Sequence, residues 1–281
     1  MVLLKCLQDM FEKRDLSRPD GRWLYAYRVT KEEYQALHQL LRDSVRVTPV
    51  QVLARRNRYF AALFVLYAAE WWRREYDGGA WTWAPILASL HIRKDELAPN
   101  ERSGVVLTGF AFWGLRPTSE GKRYFGTIVA HGGLPLKLIG HGGSRLSAVM
   151  GAVLRQAARY GWSESQVVDA VADHAHAMPE SLRHEEVFRL LATMVLATLD
   201  TKERHQLGGV PDPIGYLDNA EPDWREEYPL QIDDAAAVQL LTSLVKAASQ
   251  ASVNQDAGAV FQVVRSLSCS ELGEWRLVSR V

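Results

Sequence analysis

Acidic and histidine side chains concentrate in the second half of the chain at a spacing that suits a metal site. Asp169 and Asp173 are four residues apart, so a helix would place both carboxylates on one face, and His174 and His176 follow directly. Carboxylates and imidazoles are common ligands for zinc and manganese. The cluster would then activate water in a metal-dependent hydrolase. A solvated helix end before Met178 and Pro179 explains the same residues, and because the spacing is not diagnostic of a metal site we favour that simpler interpretation.

Two glycine-containing segments invite comparison with phosphate-binding and hydrolytic motifs, but both are incomplete. Gly121-Lys122 lacks the Ser or Thr that follows the lysine of a P-loop, and no strand is predicted before it. His131-Gly132-Gly133 has the composition of an esterase oxyanion loop, yet the chain contains no G-x-S-x-G motif. We therefore predict no catalytic residue and no cofactor. A hydrolase that uses Asp173, His174 and His176 is kept as the alternative.

Arginine and tryptophan side chains alternate on both sides of the longest apolar segment, a pattern that favours binding over catalysis. Arginines contact phosphate groups, and exposed tryptophans stack on bases or cover a protein partner. At helical spacing the same tryptophans would instead be core residues, with the arginines as their solvated flanks. Nucleic acid, a protein partner and a structural role therefore all stay open. The candidate binding residues are Arg55, Arg56, Arg58, Arg73, Arg74, Trp81, Lys122, Arg123 and Arg145.

Charge is distributed unevenly, although the formal net charge of the 281 residues is zero. Residues 1–165 carry 24 Lys and Arg against 15 Asp and Glu, and residues 166–281 carry 9 against 18. The halves are therefore +9 and −9 by count. This asymmetry indicates either a basic face for an anionic partner or two halves that attract each other.

The candidate residues depend on a helix that must lie near the centre of the protein. Residues 57–76 carry aromatic side chains at helical spacing, are apolar nearly all round in the middle, and end before Gly78-Gly79. Before this helix, the pattern predicts a first amphipathic helix over about residues 1–15 and a short strand over Arg22–Val29. A capping box at Thr30 then opens a helix to about Val45.

Further helices are predicted after the central one, and near the C-terminus the residue composition changes from helix-like to strand-like. The helical segments cover about residues 83–91, 101–113, 119–130, 144–160, 164–177, 180–205 and 234–250, and glycine-rich turns such as 140–143 separate them. Residues 259–264 and 274–278 have the composition of strands.

These patterns predict a mainly α protein, a multi-helix globular array with a short N-terminal strand and the start of a β-rich segment at the C-terminus. We expect three regions: an N-terminal helix-strand-helix region over 1–47, a helical core domain over 48–251, and the beginning of a β-segment over 252–281 that is truncated at the C-terminus. Such a segment would pair with strands beyond Val281.

Cysteine content and hydropathy predict a cytoplasmic protein. Cys6 and Cys269 lie at opposite ends of the chain, so no disulfide framework or cysteine-rich zinc site is expected. The longest apolar run, Tyr59–Ala69, is about half of the roughly 20 residues that a membrane-spanning helix needs. We therefore expect no membrane span and no signal peptide.

An unusual aromatic segment carries a family resemblance. The runs Glu70–Gly79 and Trp81–Pro85, together with Gly132–Leu136 and Glu185–Phe188, resemble the N-terminal region of large bacterial proteins encoded in mobile-element and antiphage loci of the Druantia type. The resemblance spans almost the whole chain. It implies that the C-terminus falls inside a longer sequence and that a large helicase is encoded nearby, but it supplies no catalytic residues.

Together, these observations predict a non-catalytic binding or assembly module of a bacterial antiphage defence protein. Its expected partner is nucleic acid, bound weakly and without sequence preference, or the neighbouring helicase. No membrane and no small-molecule cofactor are expected.

Overall fold

A computed structural model describes residues 2–117, 123–230, 234–251, 264–269 and 275–280. These residues form twelve α-helices followed by two strands. The helices are α1 Val2–Glu12, α2 Lys31–Val47, α3 Val50–Arg56, α4 Arg58–Glu75, α5 Ala84–Ser89, α6 Pro99–Trp113, α7 Arg123–Gly132, α8 Leu136–Tyr160, α9 Glu164–Asp173, α10 Glu185–Arg204, α11 Pro213–Ala220 and α12 Ala235–Ala251, and the strands are β1 Val264–Cys269 and β2 Trp275–Arg280.

Helix α4 lies at the centre of the array, as its apolar composition predicts. Every residue from Phe60 to Glu70 is buried, and helices α1, α2, α3, α6, α7 and α8 all pack against it. The Asn57 side chain accepts hydrogen bonds from the backbone N–H groups of Tyr59 and Phe60, which fixes where the helix begins. The prediction of a buried central helix is therefore confirmed.

The expected N-terminal strand over Arg22–Val29 is wrong. Leu24–Tyr27 form a 3-10 turn in which Leu24, Tyr25 and Tyr27 are all buried. A strand would place consecutive side chains on opposite faces, whereas a 3-10 turn can direct Leu24 and Tyr25 into the same core. The turn ends at Arg28, whose φ is 48°, in the left-handed region.

Helix α8 begins earlier than the sequence predicts and runs through the expected turn at residues 140–143. Each glycine in a helix interior costs about 1 kcal/mol relative to alanine. Extensive packing of α8 against α12 offsets this cost, because it buries apolar side chains of both helices. A tertiary contact that is distant in sequence therefore overrides a local turn signal.

The expectation of a β-rich C-terminal segment is also wrong. In the part of the chain that the structure describes, β1 and β2 form one antiparallel pair with Val264 opposite Arg280, and no third strand joins them. The first expected strand, 259–264, lies outside the described residues apart from Val264. All other described elements are helical, so the described part of the chain is an α-helical array and not a β-rich fold.

Among the described residues, no helix combines the length and the hydropathy needed to cross a bilayer.

Candidate nucleic-acid interface

A concave groove with aromatic walls opens between α5, α6 and the start of α7. Its volume is about 680 Å³, within the usual range for ligand sites. Two cationic side chains stand at this groove, and they belong to different elements. The lining residues, which we call the aromatic groove, are Trp81, Thr82, Trp83, Ala84, Leu87, Lys94, Pro99, Arg102, Tyr124 and Phe125.

Trp83 is the groove's half-buried aromatic wall. It precedes α5, and its indole ring stacks on Phe64 of the central helix at 5.8 Å between centroids. The ring of Phe125 meets it edge-on at 5.5 Å. These contacts fix the orientation of the tryptophan against the core. Part of the ring stays accessible from the groove.

Arg102 places a guanidinium against this wall. Its Cζ lies 6.0 Å from the centroid of Trp83, a cation–π geometry. Partial burial lowers the pKa of Arg102 from its ordinary value, because the surrounding protein disfavours the charged form. Within the described ranges, no carboxylate lies at ion-pair distance from Arg102 or from Lys94. The groove therefore combines aromatic surface with two cations that lack an anionic partner there.

Two of the predicted binding residues are structural. Arg73 is completely buried and donates to the Glu70 carboxylate, and its Nη1 also donates to Tyr25 O at 3.4 Å. Arg74 binds the second oxygen of Glu70 through Nε at 3.0 Å and donates to Val29 O. A helix spacing of three and four residues brings both arginines to one carboxylate. Neither guanidinium is positioned to meet a phosphate.

Trp81 lines the groove but is largely covered. Its indole is 6% exposed and packs against Trp72, Phe125 and His184, with centroid distances of 5.3, 6.0 and 3.8 Å. A base therefore cannot lie flat on it. The accessible rings are those of Trp83 and Tyr124, both of which are half-buried.

Three further predicted arginines lie on the surface around the start of α4. Arg55, Arg56 and Arg58 are all exposed, and Arg55 forms an ion pair with Glu101 at 2.6 Å. Since Glu101 precedes Arg102 in α6, this ion pair brings the end of α3 next to the aromatic groove. Arg58 donates to the Tyr59 hydroxyl at 3.0 Å.

The remaining predicted residues divide between the groove's border and another helix. Lys122 lies outside the described residues, and Arg123 begins α7 directly before the groove residue Tyr124, although its side chain is outside the description. Arg145 is exposed on α8, which contributes no residue to the groove.

Sequence reasoning did not identify Lys94, Arg102 and Tyr124. Trp83 lies in the aromatic segment Trp81–Pro85, but the sequence predicts Trp81 as its binding residue. The pattern Trp81-Thr82-Trp83 does not separate the two tryptophans, because residues two apart on an extended backbone face the same side. No local signal separates Arg102 from the other surface arginines.

The metal-site alternative does not assemble. His174 Nδ1 hydrogen-bonds to Ala170 O at 2.8 Å, and His176 Nδ1 lies 3.2 Å from Asp173 O, so each Nδ1 is directed to the backbone of its own helix end. Over the residues with described positions, no group of three or more His, Cys, Asp and Glu side chains could hold a metal ion.

Comparisons with known proteins identify the family. The YjiT N-terminal domain matches residues 2–134, and the YjiT second domain matches residues 141–257. Protein YjiT of Escherichia coli (strain K12) is 34% identical over 257 residues, which are 88% of this chain and 48% of that relative. The chain thus spans about half the length of this curated relative. No solved structure matches. The chain belongs to the YjiT family.

Proposed function

We propose that this chain is a non-catalytic binding module that contacts nucleic acid through the aromatic groove. One observation carries the proposal: a half-buried arginine, Arg102, stands over the ring of Trp83 with no described carboxylate to neutralise it, and Lys94 lines the same groove. Partly burying an unpaired charge costs free energy, so the site favours an anionic ligand. The aromatic wall favours a ligand that also has flat rings.

Nucleic acid satisfies both requirements. Phosphates supply the negative charge, and stacking on an aromatic side chain is worth about 1–3 kcal/mol per base whatever the sequence. The +9 balance of residues 1–165 adds a long-range attraction of the same sign. Phosphate and stacking contacts carry no base information, so binding should be weak and nearly independent of sequence.

Fluorescence anisotropy with labelled single-stranded and duplex oligonucleotides tests the proposal. Arg102→Gln should weaken single-strand binding about 3–10-fold and reduce the slope of log K against log salt by about 0.7, because one phosphate contact is lost. Tyr124→Ala should weaken binding of single strands more than binding of duplex, since paired bases cannot stack on the ring.

Matched controls lie outside the groove. Arg155→Gln removes an exposed charge from α8, and Tyr216→Ala removes an exposed ring from α11. Neither should change affinity or salt slope. Absence of binding by the wild-type protein even at low salt would refute the proposal. Nuclease-resistant capture of the neighbouring helicase would then favour a protein partner.

The resemblance to Druantia-type proteins suggests a setting in antiphage defence. In that setting, the module would hold nucleic acid for a helicase encoded beside it. Cells carrying the gene with its neighbours should then resist phage, and Arg102→Gln should remove the resistance while protein levels stay constant. Equal resistance in wild type and variant would mean that resistance to phage does not depend on the groove.

A further inference from the structure

A second cavity adjoins the aromatic groove and has a different character. It lies between the end of α2, the start of α3 and the connection from His91 to Glu96, and its volume is about 680 Å³. Its lining is predominantly polar, in contrast to the aromatic groove. The charged and titratable residues that line it, which define the arginine pocket, are Arg42, Asp43, Arg46, His91, Arg93 and Glu96.

The charges in the arginine pocket leave two cations available. Glu96 is occupied by Arg93, whose Nη2 lies 3.2 Å from its carboxylate. Arg42 Nη2 contacts His91 Nδ1 at 3.2 Å, an arrangement that leaves its charge without a counter-ion. Neither Arg42 nor Arg46 has a carboxylate within ion-pair distance among the residues with described positions. Asp43 is the remaining acid in the lining.

The two cavities meet across a single peptide unit. Arg93 lines the arginine pocket and Lys94, the next residue, lines the aromatic groove. Their Cα atoms are therefore about 3.8 Å apart. His91, in the left-handed conformation with φ 58°, starts this connection and contacts Arg42 from it. A chain-like anion that crosses this connection would contact both cavities.

We propose that the bound ligand is a single strand of nucleic acid that places a base in the aromatic groove and its continuing phosphates in the arginine pocket, across Arg93 and Lys94. This inference rests on the proposed function of the groove. A duplex fits poorly, because its bases stay paired and cannot reach Trp83 while its backbone lies in the second cavity. A single strand has the flexibility to place base and phosphate in different cavities.

The test compares a thymidine dinucleotide with an oligothymidylate of about 15 nucleotides, the upper end of the site sizes for single-strand binding folds. The double variant Arg42→Gln/Arg46→Gln should weaken binding of the longer strand about tenfold. It should also reduce the slope of log K against log salt for that strand by about 1.4, since two phosphate contacts are lost. Binding of the shorter strand, held in the groove, should change less than about twofold.

The control is a pair with the same spacing on another helix. Arg155→Gln/Arg159→Gln removes two exposed arginines four residues apart on α8 and should leave the binding of both strands unchanged. Asp43→Asn provides a second measurement, because removing the negative charge of the remaining acid should strengthen binding of the longer strand about two- to fivefold. Asp169→Asn, an exposed aspartate on α9, is its control.

The outcomes separate the two proposals. If Arg102→Gln weakens binding but the Arg42/Arg46 variant matches its α8 control and Asp43→Asn has no effect, the groove acts alone and the two-cavity inference is overturned. If wild-type protein binds no oligonucleotide, the proposed function itself fails. If the Arg42/Arg46 variant weakens binding of the longer strand alone, and Asp43→Asn strengthens binding of that strand, the inference is supported.

Discussion

At the scale of single residues, His131 is a buried imidazole that must stay neutral. Its ring packs on Trp23 at 4.4 Å, and its Nδ1 has no hydrogen-bond partner within the described structure. Burial lowers the pKa of His131 to about 4. The unfolded chain, with a pKa near 6.5, therefore binds this proton more readily, so His131 destabilises the fold as the pH falls from about 6.5 towards 4.

Lowering the pH from 7 to 5 should cost the wild type about 2 kcal/mol of unfolding free energy through this residue. His131→Leu should remove that part of the pH dependence, and His176→Leu, at an exposed histidine, should retain it. Urea unfolding at both pH values measures the difference. The same pH dependence in His131→Leu and wild type would mean that the pKa of His131 is the same in the folded and the unfolded chain.

Glu70 is the buried carboxylate that compensates Arg73. Glu70→Gln leaves the Arg73 guanidinium, which is completely buried, without its counter-ion. Breaking such a pair costs about 3–5 kcal/mol. The exposed pair Glu185 and Arg189 is the control, because Glu185→Gln should cost less than about 1 kcal/mol. Denaturant unfolding compares them, and equal losses would show that burial does not decide the strength of this pair.

At the scale of elements, Gly109 sets the distance between α4 and α6. A Cβ at this position would lie 2.4 Å from Val65 Cγ2 and 2.5 Å from Ala61 O, so the two helices cannot stay in place around alanine. Gly109→Ala should therefore destabilise the protein by about 1–3 kcal/mol. In the same helix, a Cβ on exposed Gly104 meets nothing within 4 Å.

Gly104→Ala should stabilise the protein by about 0.5–1 kcal/mol through helix propensity alone. Thermal and urea unfolding should show that Gly104→Ala raises the free energy of unfolding and that Gly109→Ala lowers it. Equal stabilisation by both substitutions would mean that α4 and α6 are not in close contact. Because Arg102 belongs to α6, Gly109→Ala should also weaken oligonucleotide binding, whereas Gly104→Ala should not.

At the scale of the whole molecule, Arg28 connects parts of the chain that are about 200 residues apart. Its guanidinium donates to the carbonyls of Glu226, Tyr228 and Leu230, with Nη2 at 2.8 Å from Tyr228 O. Burial and the nearby Arg73 lower the pKa of Arg28 to about 10, so it remains charged at neutral pH. It therefore holds the segment from Glu226 to Leu230 against the N-terminal part.

Arg28→Ala should release this segment, and amide exchange of peptides covering 224–230 should accelerate about tenfold or more. Hydrogen exchange with mass spectrometry measures it. Arg18→Ala, at an exposed arginine of the same region, should leave these peptides unchanged. Unchanged exchange in Arg28→Ala would show that other contacts, such as Leu134 N to Pro229 O at 3.0 Å, hold the segment alone.

Local sequence determined the helices with the clearest end signals and the identity of the core. Thr30 forms the expected capping box, and Asn57 caps α4. These features could be predicted because a cap joins residues two or three positions apart. The all-round apolar composition of α4 likewise required burial wherever the other helices lay.

Only the tertiary structure decided which basic and aromatic side chains face a ligand. Arg73 and Arg102 are the same residue type, yet neighbouring helices cover the first completely and leave the second against an open groove. Trp81 and Trp83 differ in the same way. The exposure of a side chain depends on helices that pack from distant parts of the chain, and local spacing does not specify which face they cover.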